Sequence, residues 1–135
     1  MNQFTLYVSE KDSREIYPEN TAHSFAVQLS KTLFLDGKWV CCIKKVHVNS
    51  TGPLHKPLAI HSDFCSENYH FGSNQPVMLD FVLKSETGWQ EYEQYCSDSY
   101  VEIKNNTLRI IRFKLSGDPT EVISELHLQL HFKRQ

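Results

Sequence analysis

Histidines and cysteines near the middle of the chain are the residues whose chemistry and spacing first suggest a function. Zinc is bound tetrahedrally by imidazole and thiolate groups, usually in pairs two to five residues apart. The candidate ligands in one short stretch are His55, His61, Cys65 and His70. Only His61 and Cys65 come near that spacing, and no second close pair follows. We therefore interpret them as surface histidines and one buried thiol, and we predict no metal or other cofactor.

Catalysis would need a thiol nucleophile or a pair of carboxylates from this sequence. A cysteine nucleophile requires a histidine base close to it. The candidate thiols, none of which has a recognisable local signature, are Cys41, Cys65 and Cys96. Glu91, Glu93 and Asp98 could supply the paired carboxylates of a glycoside hydrolase, but a solvated surface explains them as well. The sequence also lacks a serine elbow and a phosphate-binding glycine loop, so we predict that the protein is not an enzyme.

Aromatic residues form a second kind of candidate site. Trp89, Tyr92 and Tyr95 fall at helical spacing, which predicts either one short helix or a loop with aromatic anchors. Such residues are enriched at recognition surfaces, so they are a possible platform for a sugar or a partner, although anchoring roles are the alternative. The neighbouring Glu91 and Glu93 repel phosphate, which disfavours binding of single-stranded nucleic acid.

The last strand presents a polar face that suits protein contact. Leucines and one phenylalanine alternate there with His127, Gln129, His131 and Lys133. The side chains of His127, Gln129 and His131 hydrogen-bond without the desolvation cost of a fixed charge. Because the pKa of free histidine is about 6.5, we expect a contact made here to weaken between about pH 7 and pH 5 as like charges appear.

Bulk properties restrict the class of protein. The chain has 135 residues and a formal net charge of −2, which fits one ordinary domain and argues against direct nucleic-acid binding. No apolar run approaches the roughly 20 residues of a membrane helix, and no secretion signal precedes the first strand. We therefore predict no membrane insertion and synthesis in the cytoplasm. The four cysteines lack the spacing of a disulfide scaffold, so we predict reduced thiols.

Residues 16–48 form the predicted nucleus of the fold. A turn at residues 17–21 precedes strict alternation, in which Phe25, Val27 and Leu29 share one face. A reversal signal at residues 36–37 leads into a second long strand that begins near Trp39. The core residues that these patterns predict are Phe25, Val27, Leu29, Trp39, Leu128 and Leu130.

The remaining chain adds further short β segments separated by turn signals. The doubled isoleucine at residues 110–111 predicts a β-bulge that shifts the alternation by one residue, with Leu108 and Ile110 on one face. About eight strands without a convincing amphipathic helix predict an all-β, antiparallel β-sandwich. Eight strands with long crossings make a jelly roll, so we predict a single jelly-roll domain over residues 1–135.

Several short motifs occur in an order that resembles one family of virion proteins. They are residues 4–9 (FTLYVS), 17–21 (YPENT), 24–29 (SFAVQL), 35–39 (LDGKW), 58–63 (LAIHSD), 75–79 (QPVML) and 128–134 (LQLHFKR). The series resembles the jelly-roll minor capsid, penton-like proteins of Polinton (Maverick) elements and the related adintoviruses.

That resemblance implies a non-enzymatic structural protein of the virion. We expect it to form a homo-oligomer, with a pentamer favoured and a trimer as the alternative, and to pack with a major capsid protein. A sandwich at a fivefold vertex would make head-to-tail contacts that close into a ring. The alternative is a fibre-head-like module that binds a receptor or a carbohydrate through its loops.

Overall fold

The computed structural model describes residues 2–52, 57–70, 73–84, 87–96, 99–117 and 122–135. This part of the chain contains β-strands and no α-helix. The strands are β1 Gln3–Ser9, β2 Ser24–Phe34, β3 Trp39–Ser50, β4 Leu58–Ser62, β5 Asn68–His70, β6 Ser73–Gln75, β7 Val77–Phe81, β8 Gly88–Glu93, β9 Val101–Glu102, β10 Thr107–Ser116 and β11 Ile123–Arg134. Within these described ranges, there is no helix long and apolar enough to span a bilayer.

Two antiparallel sheets form the sandwich. The larger sheet has the order β1-β11-β3-β8, with β9 also pairing to β3, and the smaller sheet has the order β2-β10-β4-β7. The short strands β5 and β6 make a separate hairpin. Successive long strands alternate between the sheets except at β4 and β7, which are neighbours. This is the order of a jelly roll, and the predicted fold is confirmed.

Phenylalanines from both sheets meet in the core. Phe25 of β2 stacks on Phe113 of β10 at 5.2 Å between ring centroids, and Phe64 meets Phe113 edge-on at 5.9 Å. Phe64 also stacks on Phe132 of β11 at 5.8 Å, and Phe132 stacks on Phe4 of β1 at 4.7 Å. This run of rings therefore joins the smaller sheet to the larger one, and aromatic pairs of this geometry contribute beyond the area they bury.

The predicted core residues lie at or beside this cluster. Phe25, Val27, Trp39, Leu128 and Leu130 are buried, and Leu29 is half-buried and packs against the cluster. The Trp39 indole Nε1 donates a hydrogen bond of 2.9 Å to the Asp36 carbonyl. At the reversal between β2 and β3, Gly37 has a φ of 89°, which glycine adopts without steric cost.

The segment with the three aromatics is a strand, so both the predicted helix and the predicted loop are wrong. β8 pairs with β3 from Lys45↔Glu93 to Ser50↔Gly88. The alternation has a period of two, with Trp89 on the outer face and Tyr92 on the inner face. Tyr95 lies beyond the end of the strand. The helical spacing of Trp89, Tyr92 and Tyr95 therefore came from residues that do not all belong to one element.

The prediction of four reduced thiols is also wrong, because Cys42 and Cys96 form a disulfide. Neighbouring residues of a strand point to opposite faces, so Cys41 enters the core while Cys42 faces outward. The pairing of β8 with β3 brings Cys96, which lies shortly after the end of β8, near Cys42. Their Cα–Cα distance is 6.0 Å, within the usual range for a disulfide. Cys41 and Cys65 are free and buried.

The alternation in β10 shifts where the doubled isoleucine predicted it, although one face was assigned wrongly. The register with β2 shifts between Leu108 and Ile110. Leu108 is buried, whereas Ile110 is 38% exposed and Ile111 is buried. Leu108 and Ile110 therefore lie on different faces, because the inward position moves to Ile111 at the irregularity.

Candidate functional site

The outer face of the larger sheet carries the polar residues predicted for contact. Strand register sets them in rows across the sheet. One row runs from Ser9 through His127 and His47 to Glu91. The next runs from Tyr7 through Gln129 and Lys45 to Glu93. The sheet therefore places residues that are distant in sequence side by side, and we call this surface the polar face.

Carboxylates stand next to the basic groups of the polar face. Lys45 Nζ is 3.5 Å from a Glu91 carboxylate oxygen and 4.0 Å from one of Glu93. His47 Nε2 lies 3.5 Å from the other Glu91 oxygen. His127 Nε2 lies 3.6 Å from a Glu125 oxygen. Lys11, hydrogen-bonded to Glu125, lowers the pKa of that carboxyl group.

These carboxylates change the pH argument for the polar face. Protonation of His47 or His127 places a positive charge beside Glu91 or Glu125, which is an attraction rather than a repulsion. The expectation that contact weakens through like charges does not fit these two histidines. It was based on His127, Gln129 and His131 alone, whereas the carboxylates that face the histidines come from β8 and from Glu125 at the start of β11.

His131 has different surroundings from His127. Its Nδ1 is 2.7 Å from the Tyr100 hydroxyl and its Nε2 is 3.0 Å from Gln3 Oε1. A carbonyl oxygen can only accept, so this network assigns the proton to Nε2 and lets Tyr100 donate to Nδ1. Burial, with smaller contributions from Lys44 and Lys133, lowers the pKa of His131. The ring is thus held in its neutral form, oriented on both sides.

The three candidate recognition aromatics do not form one platform. Trp89 is 55% exposed and meets the His127 ring edge-on at 5.3 Å between centroids. Tyr92 points inward and lies 5.5 Å from Phe81. Tyr95 is 94% exposed. Only Trp89 therefore belongs to the polar face, where Tyr7 is a further exposed aromatic that the sequence did not single out.

A shallow groove of about 250 Å³ crosses the polar face beside β1. Residues of β1, β11 and β3 line it, with Asp12 at one end. The lining side chains include Tyr7, Ser9, Asp12, Lys45, His47, His127 and Gln129. The groove combines one exposed aromatic ring with several hydrogen-bonding groups on a rigid sheet.

The candidate catalytic groups are not arranged for chemistry. Burial raises the pKa of the Cys41 thiol well above its usual range, and burial is also the main cause that raises the pKa of Cys65 to about 11. The nucleophilic form of a cysteine is the thiolate, so both thiols are held in the unreactive form. Cys96 is bonded to Cys42. Glu91 and Glu93 are paired with Lys45, and Asp98 lies outside the described residues.

The two candidate metal ligands with described side chains, His61 and Cys65, have other polar partners. His61 Nε2 is 2.9 Å from the Ser116 hydroxyl, and Cys65 Sγ lies 3.3 Å from the Pro76 carbonyl and 3.4 Å from that of Ser62. His55 and the side chain of His70 lie outside the described part. Across the ranges that the structure describes, no three histidine, cysteine or acidic side chains are grouped to hold a metal ion.

Two buried polar residues of the β1–β2 connection were not singled out from the sequence. The Asn20 amide donates to the Ala26 carbonyl at 2.8 Å and accepts from the Ala26 N–H at 3.0 Å. The fully buried Glu10 accepts from the Leu126 N–H at 3.0 Å. Asn20 lies in the predicted turn at residues 17–21, but its role in satisfying a strand edge depends on the tertiary fold.

Comparison with known proteins gives a match in fold only. No protein-family model and no curated protein matches this sequence. The crystal structure of the mavirus penton protein is similar with a TM-score of 0.67 and 6% identity, over 98% of this chain and 99% of that chain. A cryo-EM structure of virus-like particles of the extra small virus of the giant freshwater prawn Macrobrachium rosenbergii has a TM-score of 0.34 and 9% identity, over 98% and 79% of the two chains.

Proposed function

We propose that this chain is a penton-type minor capsid protein, a non-enzymatic structural component of a virion. The observation that carries the proposal is the jelly roll shared over nearly the whole length of both chains with the mavirus penton protein. The order of motifs along the sequence supports assignment to the penton-like proteins of Polinton elements and adintoviruses. In this role the whole chain, residues 1–135, acts as one jelly-roll domain made in the host cytoplasm.

The proposed protein works through contacts with other chains rather than through chemistry. The unreactive thiols and the paired glutamates described above are consistent with that role. Copies related by a closed ring meet through two different surfaces, with five copies favoured at a vertex and three as the alternative. The ring then packs against a major capsid protein, and the proposed contact residues on the polar face are His127, Gln129 and His131.

Assembly of the purified protein tests this proposal. Native mass measurement and negative-stain images should show a closed ring, and the ring should co-sediment with shells of a candidate major capsid protein. The matched control is Phe132→Asp, which places a charge in the core. This variant should be unfolded and should not assemble. A protein that stays monomeric and does not bind the shells would contradict the vertex role.

A second candidate function is recognition of a carbohydrate by a fibre-head-like module. The observation that favours it is the groove on the polar face, where Tyr7 is 72% exposed beside several hydrogen-bonding side chains. In this case a monomer or trimer is expected. The unaltered protein should bind certain glycans on an array, and Tyr7→Ala should abolish that binding. Absence of any retained glycan would remove this candidate.

A further inference from the structure

The described part of the sandwich has five edge strands, and one of them lacks the usual protection. β1 is at one edge of the larger sheet and β8 and β9 are at the other, and β2 and β7 are the edges of the smaller sheet. Open edges invite pairing with another chain, which proteins prevent with charges, proline, bulges, short strands or covering groups. β1 has seven residues, QFTLYVS, without a charge, a proline or a glycine. Its register with β11 is continuous from Gln3 to Ser9.

The other four edge strands carry such protection, and β9 is only two residues long. Asn20 satisfies both main-chain groups of Ala26 in β2, and the Ser13 hydroxyl accepts from the Gln28 N–H at 2.9 Å. The edge strand β8 presents Glu91 and Glu93. The edge strand β7 is five residues long and contains a charged aspartate. The contrast is sharpest between β1 and β2, because the connection between them caps Ala26 and Gln28 within β2 but only the last residue, Ser9, of β1.

The main-chain groups at the open side of β1 follow from its pairing. The Arg134 N–H donates to the Asn2 carbonyl at 2.8 Å. In an antiparallel pair, residues whose main-chain N–H and C=O groups point toward the partner strand alternate with residues whose groups point away from it. The main-chain groups of Phe4, Leu6 and Val8 therefore point toward β11. Gln3, Thr5 and Tyr7 therefore direct three N–H and three C=O groups away from the sheet.

Ser9 shows that this alternation is correct, because its outward groups are taken. The Ser9 N–H donates to Asp12 Oδ2 at 2.9 Å, and the Ser9 carbonyl accepts from the Asp12 N–H at 3.2 Å. Within the described ranges, no group hydrogen-bonds the outward main-chain groups of Gln3, Thr5 or Tyr7. A short row of donors and acceptors thus ends where the turn begins.

We propose that two copies of this chain pair through their β1 strands, antiparallel across a twofold axis at Thr5. In this register Thr5 faces the partner's Thr5, and Gln3 faces the partner's Tyr7. All three outward residues then exchange both main-chain hydrogen bonds with the second copy. The two larger sheets become one continuous sheet.

The side chains of β1 suit a second copy as the occupant. A strand that meets itself across a twofold axis brings any charge close to its own copy, and β1 has none. Threonine pairs are favourable across strands. On the inner side, Phe4 and Leu6 are half-buried, and the proposed register places Phe4 beside the partner's Leu6. Self-pairing therefore covers apolar surface on one face and joins polar residues on the other.

This contact is independent of the ring proposed above. Ring closure uses heterologous contacts between two different surfaces, whereas β1 pairing is isologous, with the same surface on both copies. It joins two isolated chains, or one chain from each of two rings. The full-length protein should therefore associate in even-numbered multiples that depend on β1, whether or not rings form.

Introduction of a charge at Thr5 tests the proposal, with association measured by sedimentation. Thr5→Lys and Thr5→Glu should each weaken pairing by about tenfold or more, because like charges would face each other on the axis. An equal mixture of the two variants should restore it, which a general folding defect cannot do. Thr5→Val is the matched control and should pair as the unaltered chain does.

Cross-linking gives a second readout that does not depend on affinity. Thr5→Cys should form an intermolecular disulfide under mild oxidation, whereas His47→Cys, on the same face but in the middle of the sheet, should not. Failure of the Thr5→Cys disulfide, failure of the mixture to restore association, or a protein that is monomeric throughout would overturn the proposal. Pairing that persists unchanged in Thr5→Lys and Thr5→Glu would also overturn it, and a ring that still forms in these variants would leave the proposed capsid role intact.

Discussion

At the scale of single residues, Asn20 shows how one side chain completes a strand edge. Its amide reproduces the donor and acceptor of a neighbouring strand for Ala26, at 2.8 and 3.0 Å, while being almost fully buried. Asn20→Asp keeps the shape but replaces the donor by an oxygen that would face the Ala26 carbonyl. We expect the free energy of unfolding to fall by about 2–4 kcal/mol, measured by urea denaturation. Asn105→Asp, at an exposed turn, should change it by less than about 0.5 kcal/mol.

His131 makes stability depend on pH in a direction that its surroundings set. Its pKa is lowered in the folded chain by burial and by Lys44 and Lys133. Its contribution is therefore fully present above the unfolded pKa of about 6.5 and is lost as pH falls through the lower folded pKa. We expect the melting temperature to drop between pH 7 and pH 5, and His131→Gln to reduce that drop.

The matched control for this effect is His47→Gln. His47 lies on the same face of the larger sheet, 3.5 Å from Glu91, and its replacement should leave the acid sensitivity in place. An equal drop in the unaltered protein and in His131→Gln would assign the pH dependence to other groups.

At the scale of elements, sequence alternation was sufficient where one strand face is buried and the other is polar. β11 is the clearest case, with Leu128 and Leu130 inside and Gln129 outside, as predicted. The prediction for the β8 segment was wrong because its inner positions are Gln90 and Tyr92 and its outer positions include Trp89. The hydrophobic signal was therefore reversed in part, and the strand is fixed by pairing with β3, which is distant in sequence.

The polar face could be predicted only in part for the same reason. β11 alone predicted His127, Gln129 and His131, but not the carboxylates that stand beside the histidines. Glu91 and Glu93 depend on strand order and register, which bring β8 beside β3 and β3 beside β11, whereas Glu125 lies two residues before His127 on β11 itself. Periodicity within one strand contains no information about that order.

The turn after β10 gives a prediction about an element boundary. Gly117 has a φ of 136°, and a Cβ there would lie 2.8 Å from the Pro57 carbonyl oxygen and 2.6 Å from Leu58 Cδ2. Leu58 is 1% exposed, so it cannot move without disturbing the core. Gly117→Ala should therefore cost more than the roughly 1–3 kcal/mol of backbone strain alone.

Gly88 is the control for that substitution. Its φ is 91°, but a Cβ there would meet nothing within 4 Å. Gly88→Ala should show the backbone cost without the contact. Equal losses of unfolding free energy for the two variants would mean that the approach of residues 57–58 to the turn does not matter.

At the scale of the whole molecule, the disulfide reaches further than any local contact. It joins Cys42 in the middle of the larger sheet to Cys96, 54 residues away. The enclosed chain passes through β4 and β7 of the smaller sheet and β8 of the larger one, so the bond restricts a part of the unfolded chain that contributes to both sheets. In the chain-entropy account, a loop of this length stabilises the folded state by about 4 kcal/mol.

Intact mass and thiol titration should therefore find two thiols under denaturing, non-reducing conditions. Replacing both cysteines, as Cys42→Ser with Cys96→Ser, should lower the free energy of unfolding by about 2–4 kcal/mol. The control is Cys65→Ser, a buried thiol outside the bond, whose loss should be the same with and without reductant. For the unaltered chain, reductant should reproduce the effect of the double replacement, because both remove the same restriction on the unfolded state. Four titratable thiols, or a stability that reductant does not change, would show that the two cysteines are not joined in the protein.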